Sequence, residues 1–174
     1  AVSNHTTKQG RATALESVKE SAPEFYDDVK TMAKIIFKAI DPSIKMEIFK
    51  QDGDHVKYGD IAFTIQGNRI LLLTAERLVL NCMQRMSAIA TKTRFFMNLL
   101  EGTKTKVLDT RKTTPGVRAF EKWAVKIGGG ENHRFALYDM IMLKDNHIDF
   151  AGGITKAIQK TQQYLKDTNR DLKI

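Results

Sequence analysis

The sequence has few of the features that mark a secreted or membrane protein. It contains one cysteine, Cys82, among 174 residues, which excludes a disulfide framework or a cysteine-based metal site within the chain and fits a reducing compartment. No apolar run approaches the length of a membrane span, and residues 1–8 are polar, unlike the core of a signal peptide. We therefore expect a cytoplasmic protein without a membrane partner.

Acidic residues are outnumbered, since Asp and Glu total 20 against 28 Lys and Arg, for a net charge of +8. A basic chain suggests nucleic acid, a membrane surface or an anionic metabolite as its partner. The basic residues do not form a stripe along one helix, and no RNA-binding pattern with interleaved aromatic residues is visible. The charge pattern therefore favours a small anionic ligand over nucleic acid.

The first part of the chain, residues 1–72, is predicted to be a small α+β domain. We expect a strand from Arg11 to Val18 and a helix that Pro23 opens and that runs to about Ile40. Alternating polar and apolar residues and turn-forming dipeptides then predict short antiparallel strands at residues 45–48, 61–65 and 70–72.

The second part, residues 73–174, is predicted to begin with a long helix that has Thr74 as its N-cap. One apolar stripe runs along this helix and includes Cys82, which we interpret as a small buried apolar side chain. Arg77 lies on another face, where it is either a solvated charge or an arginine presented to a neighbouring subunit. The spacing alone leaves both interpretations open.

From Thr103 onward the pattern changes to alternating strands and helices. Strands are predicted at residues 106–108 and 140–143, with helices from Val117 to Gly128 and from Ile154 to about Lys166, and a third strand begins at Leu172. This pattern is typical of the start of a β/α barrel, which needs about 200 residues or more. We therefore expect the chain to be incomplete, or to be only the ordered part of a longer one.

Groups that bind anions are concentrated at three predicted loops in this second part. They are Arg111, Lys112, His133, Arg134, Lys144 and His147. Surface charge is usually spread along helix faces with both signs mixed, so this grouping predicts a site for a small, highly anionic ligand. The glycine run at residues 128–130 lacks the context of a phosphate-binding loop. We interpret it as a flexible turn that brings His133 and Arg134 into the barrel mouth.

Five segments of the chain carry distinctive motifs, namely Leu-Thr-Ala-Glu-Arg at residues 73–77, Gln-Arg-Met-Ser at 84–87, the segment from Asp109 to Gly116, the segment from Gly128 to Arg134, and Lys-Asp-Asn-His-Ile at 144–148. Together and in this order they resemble one known family, quinolinate phosphoribosyltransferase. The resemblance runs almost unbroken from Leu71 to about Ala157. It continues more weakly through Asp52, Gly53, Asp54, Gly59 and Asp60.

The resemblance implies an α/β fold, in which an N-terminal α/β sandwich domain precedes an irregular β/α barrel that is incomplete here. It implies a glycosyltransferase (pentosyltransferase) that joins quinolinate to phosphoribosyl pyrophosphate (PRPP) with Mg²⁺. The products are nicotinate mononucleotide, pyrophosphate and CO₂, in de novo NAD biosynthesis. It also implies a homodimer in which the first domain of one subunit covers the barrel mouth of the other.

The resemblance also assigns roles to individual residues. Arg111, Arg134 and Lys144 match the cations that bind quinolinate, Lys112 and His133 match neighbouring site residues, and Arg77 matches an arginine contributed across the dimer interface. Lys144 and Lys112 are the candidate catalytic residues, and Lys144 or a nearby cation is expected to assist decarboxylation. For His147 two roles stay open, namely contact with the substrate and support of its own loop.

Two departures from the family pattern qualify these expectations. The acidic residues that handle Mg²⁺ and the glycine-rich loops that hold PRPP are expected beyond Ile174, so we assign no metal ligand in this chain and expect the chain alone to be inactive. The segment from Ser17 to Phe25 lacks the glycine-bounded apolar stretch usual in the family. The alternatives are a paralogous phosphoribosyltransferase with another acceptor, and an inactive fragment that acts only as a binding or assembly module.

Overall fold

The structure is a computed structural model that describes Arg11–Thr13, Phe25–Asp27 and residues 29–174. The chain divides into two compact units. The first comprises Ala1–Asp109 and Thr113–Asn132, and the second comprises Thr110–Lys112 and His133–Ile174. The predicted domain boundary between residues 72 and 73 lies inside a continuous helix and remains a prediction.

The described residues of the first unit form two small antiparallel sheets. The strands described there are β1 (Arg11–Thr13), β2 (Phe25–Asp27), β3 (Lys45–Ile48), β4 (Asp54–Val56) and β5 (Phe63–Gln66). One sheet has the order β1-β5-β3, and β2 pairs with β4 in the other. The strand predicted at residues 45–48 is confirmed as β3, and the strand predicted at residues 61–65 is confirmed as β5, which begins two residues later and ends one residue later. The predicted strand from Arg11 to Val18 is confirmed for Arg11–Thr13, and residues 14–18 lie outside the described residues.

Two helix starts differ from the predictions. Helix α1 spans Val29–Ile40, so the prediction that Pro23 opens it was wrong, because Phe25–Asp27 intervenes as β2. Helix α2 spans Arg69–Leu99, so the predicted N-cap at Thr74 and the predicted strand at residues 70–72 were also wrong. The N-cap of α2 is Asn68, whose Oδ1 accepts the Ile70 N–H at 2.9 Å. With this side chain as its cap, the helix starts six residues earlier than expected.

The core of the first unit lies between α1, the β1-β5-β3 sheet and α2. Its largest fully buried side chains include Phe37 of α1, Phe63 of β5 and Met83 of α2, and the Phe37 and Phe63 rings meet edge to face. The apolar stripe predicted along α2 is confirmed, because Ala75, Val79 and Met86 are buried while Cys82 and Ile89 pack at its margin. Partial burial raises the pKa of the Cys82 thiol, which fits its interpretation as an apolar side chain.

Helix α3 (Arg118–Ile127) packs against α2 through Ala124, and Gly128 ends it as predicted. The predicted strand at residues 106–108 is reduced to one parallel bridge between Leu108 and Glu131. Its hydrogen bonds run from the Glu131 N–H to the Val107 carbonyl (2.8 Å) and from the Asp109 N–H to the Glu131 carbonyl (3.1 Å).

The second unit contains two helices, of which the sequence pattern predicted one. Helix α5 (Ile154–Asp167) confirms the prediction for residues 154–166, and a short helix that the pattern did not reveal, α4 (Asp145–Ala151), precedes it. The predicted strands at residues 140–143 and 172–174 are not regular strands and share one hydrogen bond, from the Ile141 N–H to the Lys173 carbonyl at 2.8 Å. Apolar residues alone do not make a strand without a paired neighbour. Within the described residues, no helix is long and apolar enough to cross a membrane.

Candidate active site

Six of the seven predicted site residues belong to the second unit. Arg111 and Lys112 enter it through the segment Thr110–Lys112, and the other four belong to the segment His133–Ile174. The seventh, Arg77, belongs to the first unit and is exposed on α2. The second unit therefore gathers two separate stretches of the chain, each of which carries cations.

Arg134 is buried, with 8% of its surface exposed. Its Nη2 lies 3.5 Å from the Met142 Sδ, which is a weak acceptor. Among the residues that the structure describes, no carboxylate lies within ion-pair distance of this guanidinium. A buried cation without a counter-charge is costly, so Arg134 is suited to receive an anion.

A local hydrogen bond lies within the loop that carries Arg111 and Lys112. The Lys112 N–H donates to the Thr110 Oγ1 at 3.1 Å, while its side chain is exposed and Arg111 is half-buried. Backbone contacts of this kind fix the direction in which the two side chains leave the chain. The Lys112 ammonium is accessible to a ligand.

The next residues of this loop are tied down within the first unit. The Glu121 carboxylate accepts the Thr114 N–H (3.2 Å), and the Arg118 Nε donates to the Thr113 Oγ1 (3.1 Å). The Arg85 guanidinium contacts both Thr114 and Glu121, with an Nη2–Oε1 distance of 2.7 Å to the carboxylate. Thr113 and Thr114 are thus anchored by helices α2 and α3.

Lys144 and His147 meet at the start of α4. The His147 Nδ1 accepts the Lys144 N–H at 3.1 Å, and the Lys144 carbonyl accepts the His147 N–H at 2.8 Å. An accepting Nδ1 leaves the ring proton of a neutral imidazole on Nε2. This contact supports the role of His147 in holding its loop, while the exposed Lys144 ammonium is accessible to a ligand.

His133 lines an apolar groove of the second unit, with a volume of about 320 Å³. Met140, Met142, Ile148 and Ile174 are among the other lining residues. His133 is half-buried and makes further polar contacts. The groove therefore places one imidazole against apolar walls, as is usual where an aromatic ligand binds.

The sequence-based prediction missed a group of residues beside these loops. The Lys122 ammonium lies 2.6 Å from the Asp109 Oδ1, and the two side chains are 3% and 6% exposed. The Asn132 amide faces two acceptors, the Asp109 Oδ2 (2.9 Å) and the Lys122 carbonyl (2.8 Å), so we assign its nitrogen to this position as the donor to both. No periodicity marks Lys122 as inward-facing. The burial of Glu121 could have been predicted, because this residue lies four positions after Val117 and three before Ala124, on the apolar side of α3.

The glycine run at residues 128–130 is a tightly packed turn, and the prediction of a flexible one was wrong. A Cβ at Gly128 would lie 2.5 Å from the Ala90 carbonyl oxygen, and a Cβ at Gly130 would lie 2.8 Å from the Thr93 Cγ2. Gly129 adopts a φ of +90°. Glycine is therefore needed for close approach to α2 and for one left-handed residue.

The part of the chain that the structure describes holds no group of three or more His, Cys, Asp or Glu residues suited to a metal ion. The site is instead rich in cations, which repel a metal and attract an anion. These residues do not fit a resident Mg²⁺ ion.

Two family models match adjacent stretches of the chain. The model of the quinolinate phosphoribosyl transferase N-terminal domain matches residues 29–87, and that of the C-terminal domain of the same family matches residues 89–174. The chain belongs to the quinolinate phosphoribosyl transferase family. The resemblance seen in the sequence motifs is thereby confirmed.

Individual family members agree with this assignment. The chain is 46% identical over 143 residues to the chloroplastic nicotinate-nucleotide pyrophosphorylase [carboxylating] of Arabidopsis thaliana, over 82% of this chain and 40% of that protein. It is 47% identical to a probable nicotinate-nucleotide pyrophosphorylase [carboxylating] of Bacillus subtilis, over 73% of this chain and 44% of that one. The crystal structure of NadC from Streptococcus pyogenes matches with a TM-score of 0.77 and 42% identity, over 82% of this chain and 51% of NadC.

The predicted α/β fold class is confirmed by this structural similarity. The chain spans less than half the length of these two family members and about half the length of NadC.

Proposed function

We propose that this chain carries the quinolinate-binding part of a quinolinate phosphoribosyltransferase. The whole protein transfers the phosphoribosyl group of PRPP to quinolinate and releases CO₂ and pyrophosphate, which yields nicotinate mononucleotide for de novo NAD biosynthesis. The observation that carries this proposal is the buried Arg134 guanidinium, which has no carboxylate partner among the described residues. The names of its relatives support the same reaction.

Quinolinate is an aromatic dicarboxylate, and its chemistry suits these residues. Arginine binds planar carboxylates through two parallel hydrogen bonds, so Arg134 and Arg111 are suited to one carboxylate each. Lys144 and Lys112 add point charges, and His133 offers an imidazole beside the apolar groove. Holding both carboxylates orients the pyridine nitrogen toward the anomeric carbon of PRPP.

The proposed reaction balances as two heterolytic steps. The nitrogen lone pair forms the bond to the anomeric carbon, and the bond from that carbon to the pyrophosphate oxygen breaks with its electrons on the oxygen. The bond between ring carbon C2 and its carboxylate then breaks and releases CO₂. The cationic ring stabilises the electron pair left at C2, which takes up a proton.

Lys144 and Lys112 are the proposed catalytic residues. Lys144, or a cation close to it, assists decarboxylation by placing positive charge near C2. A Lys144 variant that releases CO₂ from the bound intermediate at the normal rate would contradict this role.

Further parts of the proposal concern the whole protein. PRPP binds with Mg²⁺, and we assign no described residue to that ion. The protein is a cytoplasmic homodimer in which Arg77 reaches the site of the partner subunit, without nucleic acid or a membrane as partner. The position of Arg77 on the exposed face of α2 supports this arrangement.

The test is a binding titration with the complete natural polypeptide that contains this sequence. Quinolinate and nicotinate, which lacks one carboxylate, are titrated into the wild type, Arg134→Met and Arg170→Met. Arg170→Met is the matched control, because Arg170 is an exposed arginine of the same unit. We expect quinolinate to bind the wild type more tightly than nicotinate does. Arg134→Met should lose about 10- to 100-fold in affinity, as for one or more hydrogen bonds to a charged group.

Thermal unfolding of the free proteins gives a second readout. Arg134→Met should be as stable as the wild type or more so, because it removes an uncompensated buried charge. Equal quinolinate affinity in the wild type and Arg134→Met, or no binding by the wild type, would refute the proposal.

A further inference from the structure

The chain leaves the first unit twice, after Asp109 and after Asn132. Arg111 follows the first of these points by two residues, and His133 and Arg134 follow the second by one and two. The two segments run parallel up to these points, since Leu108 and Glu131 form a parallel bridge. The separation of the two exit points is thus a property of the first unit.

Three side chains join these exit points. The Lys122 ammonium of α3 lies 2.6 Å from the Asp109 Oδ1. One terminal atom of the Asn132 amide lies 2.9 Å from the other carboxylate oxygen of Asp109 and 2.8 Å from the Lys122 carbonyl oxygen. Because both neighbours are acceptors, we assign the amide nitrogen to this position, where it donates to both. Both oxygens of Asp109 are therefore engaged, one by a helix and one by the second exit segment.

The ion pair at the centre of this group is almost completely buried, with side-chain exposures of 3% for Lys122 and 6% for Asp109. Its opposite charges cancel, so it adds little net field at the site. A buried ammonium held by a carboxylate is also not available to a ligand. Its contribution is geometric, because a buried ion pair that is also hydrogen-bonded to a neighbour holds these segments in one arrangement.

We propose that Asp109, Lys122 and Asn132 are positioning residues that set the separation of Arg111 from His133 and Arg134 and so determine the affinity for the dicarboxylate. This inference rests on the proposed function. Bidentate carboxylate recognition depends strongly on distance, and a misplacement of about 1 Å can cost about 100-fold. The two cation-bearing segments are 20 or more residues apart in sequence, so a tertiary contact has to fix their spacing.

Steady-state kinetics and quinolinate titrations of the complete natural polypeptide test the inference. The main variant is Asn132→Ala, which removes both amide hydrogen bonds and leaves the ion pair intact. Lys122→Met would leave the buried Asp109 carboxylate without its counter-ion, so the neutral double variant Lys122→Met/Asp109→Asn is measured in its place. The matched control is Lys106→Met, because Lys106 pairs with Glu131 at the same bridge but in an exposed position.

We expect Asn132→Ala and the double variant to lose about 10- to 100-fold in kcat/KM for quinolinate, with the KM for PRPP unchanged. Lys106→Met should match the wild type for both substrates. Wild-type quinolinate affinity in a folded Asn132→Ala protein would overturn the inference. An equal loss for both substrates would do so too, because it would indicate a general structural role. If the wild type itself fails to bind quinolinate, the proposed function fails first and the inference fails with it.

Discussion

At the scale of single residues, Arg134 and Lys122 are two buried cations in contrasting environments. The Lys122 ammonium lies 2.6 Å from the Asp109 carboxylate, whereas the Arg134 guanidinium contacts the Met142 thioether at 3.5 Å. A cation neutralised within the protein stabilises local structure, whereas a cation without a counter-charge is available to a ligand. This difference separates the proposed positioning residue from the proposed binding residue.

At the same scale, the buried Glu121 carboxylate is expected to make the stability of the fold depend on pH. Burial raises its pKa, whereas hydrogen bonds from Arg85 and Thr114 lower it. The lowering effects together are larger, so the pKa of Glu121 lies below its ordinary value of 4.5. Because the folded-state pKa is below the unfolded one, this group stabilises the fold above pH 4.5, and that contribution is lost as the pH falls through the folded-state pKa. We expect Glu121→Gln to lower the free energy of unfolding at pH 7 by about 1–2 kcal/mol.

The measurement is urea unfolding of both proteins at neutral and acidic pH. The difference between them should shrink in acid, where the wild-type carboxyl is protonated. Glu131→Gln is the control, because its partner Lys106 is exposed and surface pairs contribute little. A Glu121→Gln effect that is the same at every pH would contradict the prediction.

At the scale of elements, the start of α2 depends on one side chain. The Asn68 Oδ1 accepts the Ile70 N–H, while the Thr74 Oγ1 donates to the Ile70 carbonyl at 2.9 Å inside the helix. Both residue types occur at N-caps, and both precede apolar helical stretches here. The apolar run at residues 70–72 also fits either a strand or a helix. Residue type alone therefore does not distinguish Asn68 from the predicted cap Thr74, and packing of Leu72 in the core favours the earlier start.

Paired substitutions distinguish the two caps. Asn68→Ala should lower the free energy of unfolding by about 1 kcal/mol, because an orphan N–H at the start of α2 loses its acceptor. Thr74 lies inside the helix, so Thr74→Ala should change the free energy of unfolding by less than about 0.5 kcal/mol. Urea unfolding at neutral pH measures both. A larger effect of Thr74→Ala than of Asn68→Ala would contradict the cap assignment.

At the scale of the whole molecule, the predicted site residues divide between the two units, with Arg77 in the first and the other six in the second. The chain also spans only about half the length of its solved relative from Streptococcus pyogenes. A site contributed by two subunits would account for a predicted site residue on an exposed helix face. Mixing of inactive variants tests this directly.

Arg77→Ala and Arg111→Ala, made in the complete natural polypeptide, should each be inactive alone. Mixed under conditions that allow subunit exchange, they should regain part of the activity, because a hybrid dimer then contains one site with neither substitution. The activity assay follows formation of nicotinate mononucleotide, and native mass spectrometry verifies that hybrids form. Hybrids without recovered activity would show that both residues act within one subunit.

Much of the fold could be predicted wherever the signal is local. Helix α5, the end of α3 at Gly128 and strand β3 follow from short-range periodicity and turn chemistry, and each is confirmed. The strands predicted at residues 106–108 and 140–143 are not regular, because a strand depends on partners that apolar composition does not specify. Helix α4 was missed because its seven residues are too few to show a period.

The sequence by itself determined the family, the α/β class and the identity of the cations, because motifs and composition are properties of the chain. Only the tertiary structure decided which charges are buried and which are paired. Arg85 lies 36 residues before its partner Glu121, and Lys122 lies 13 residues after Asp109. Burial and ion pairing depend on such distant contacts, so the environment of each charge is decided by the folded chain.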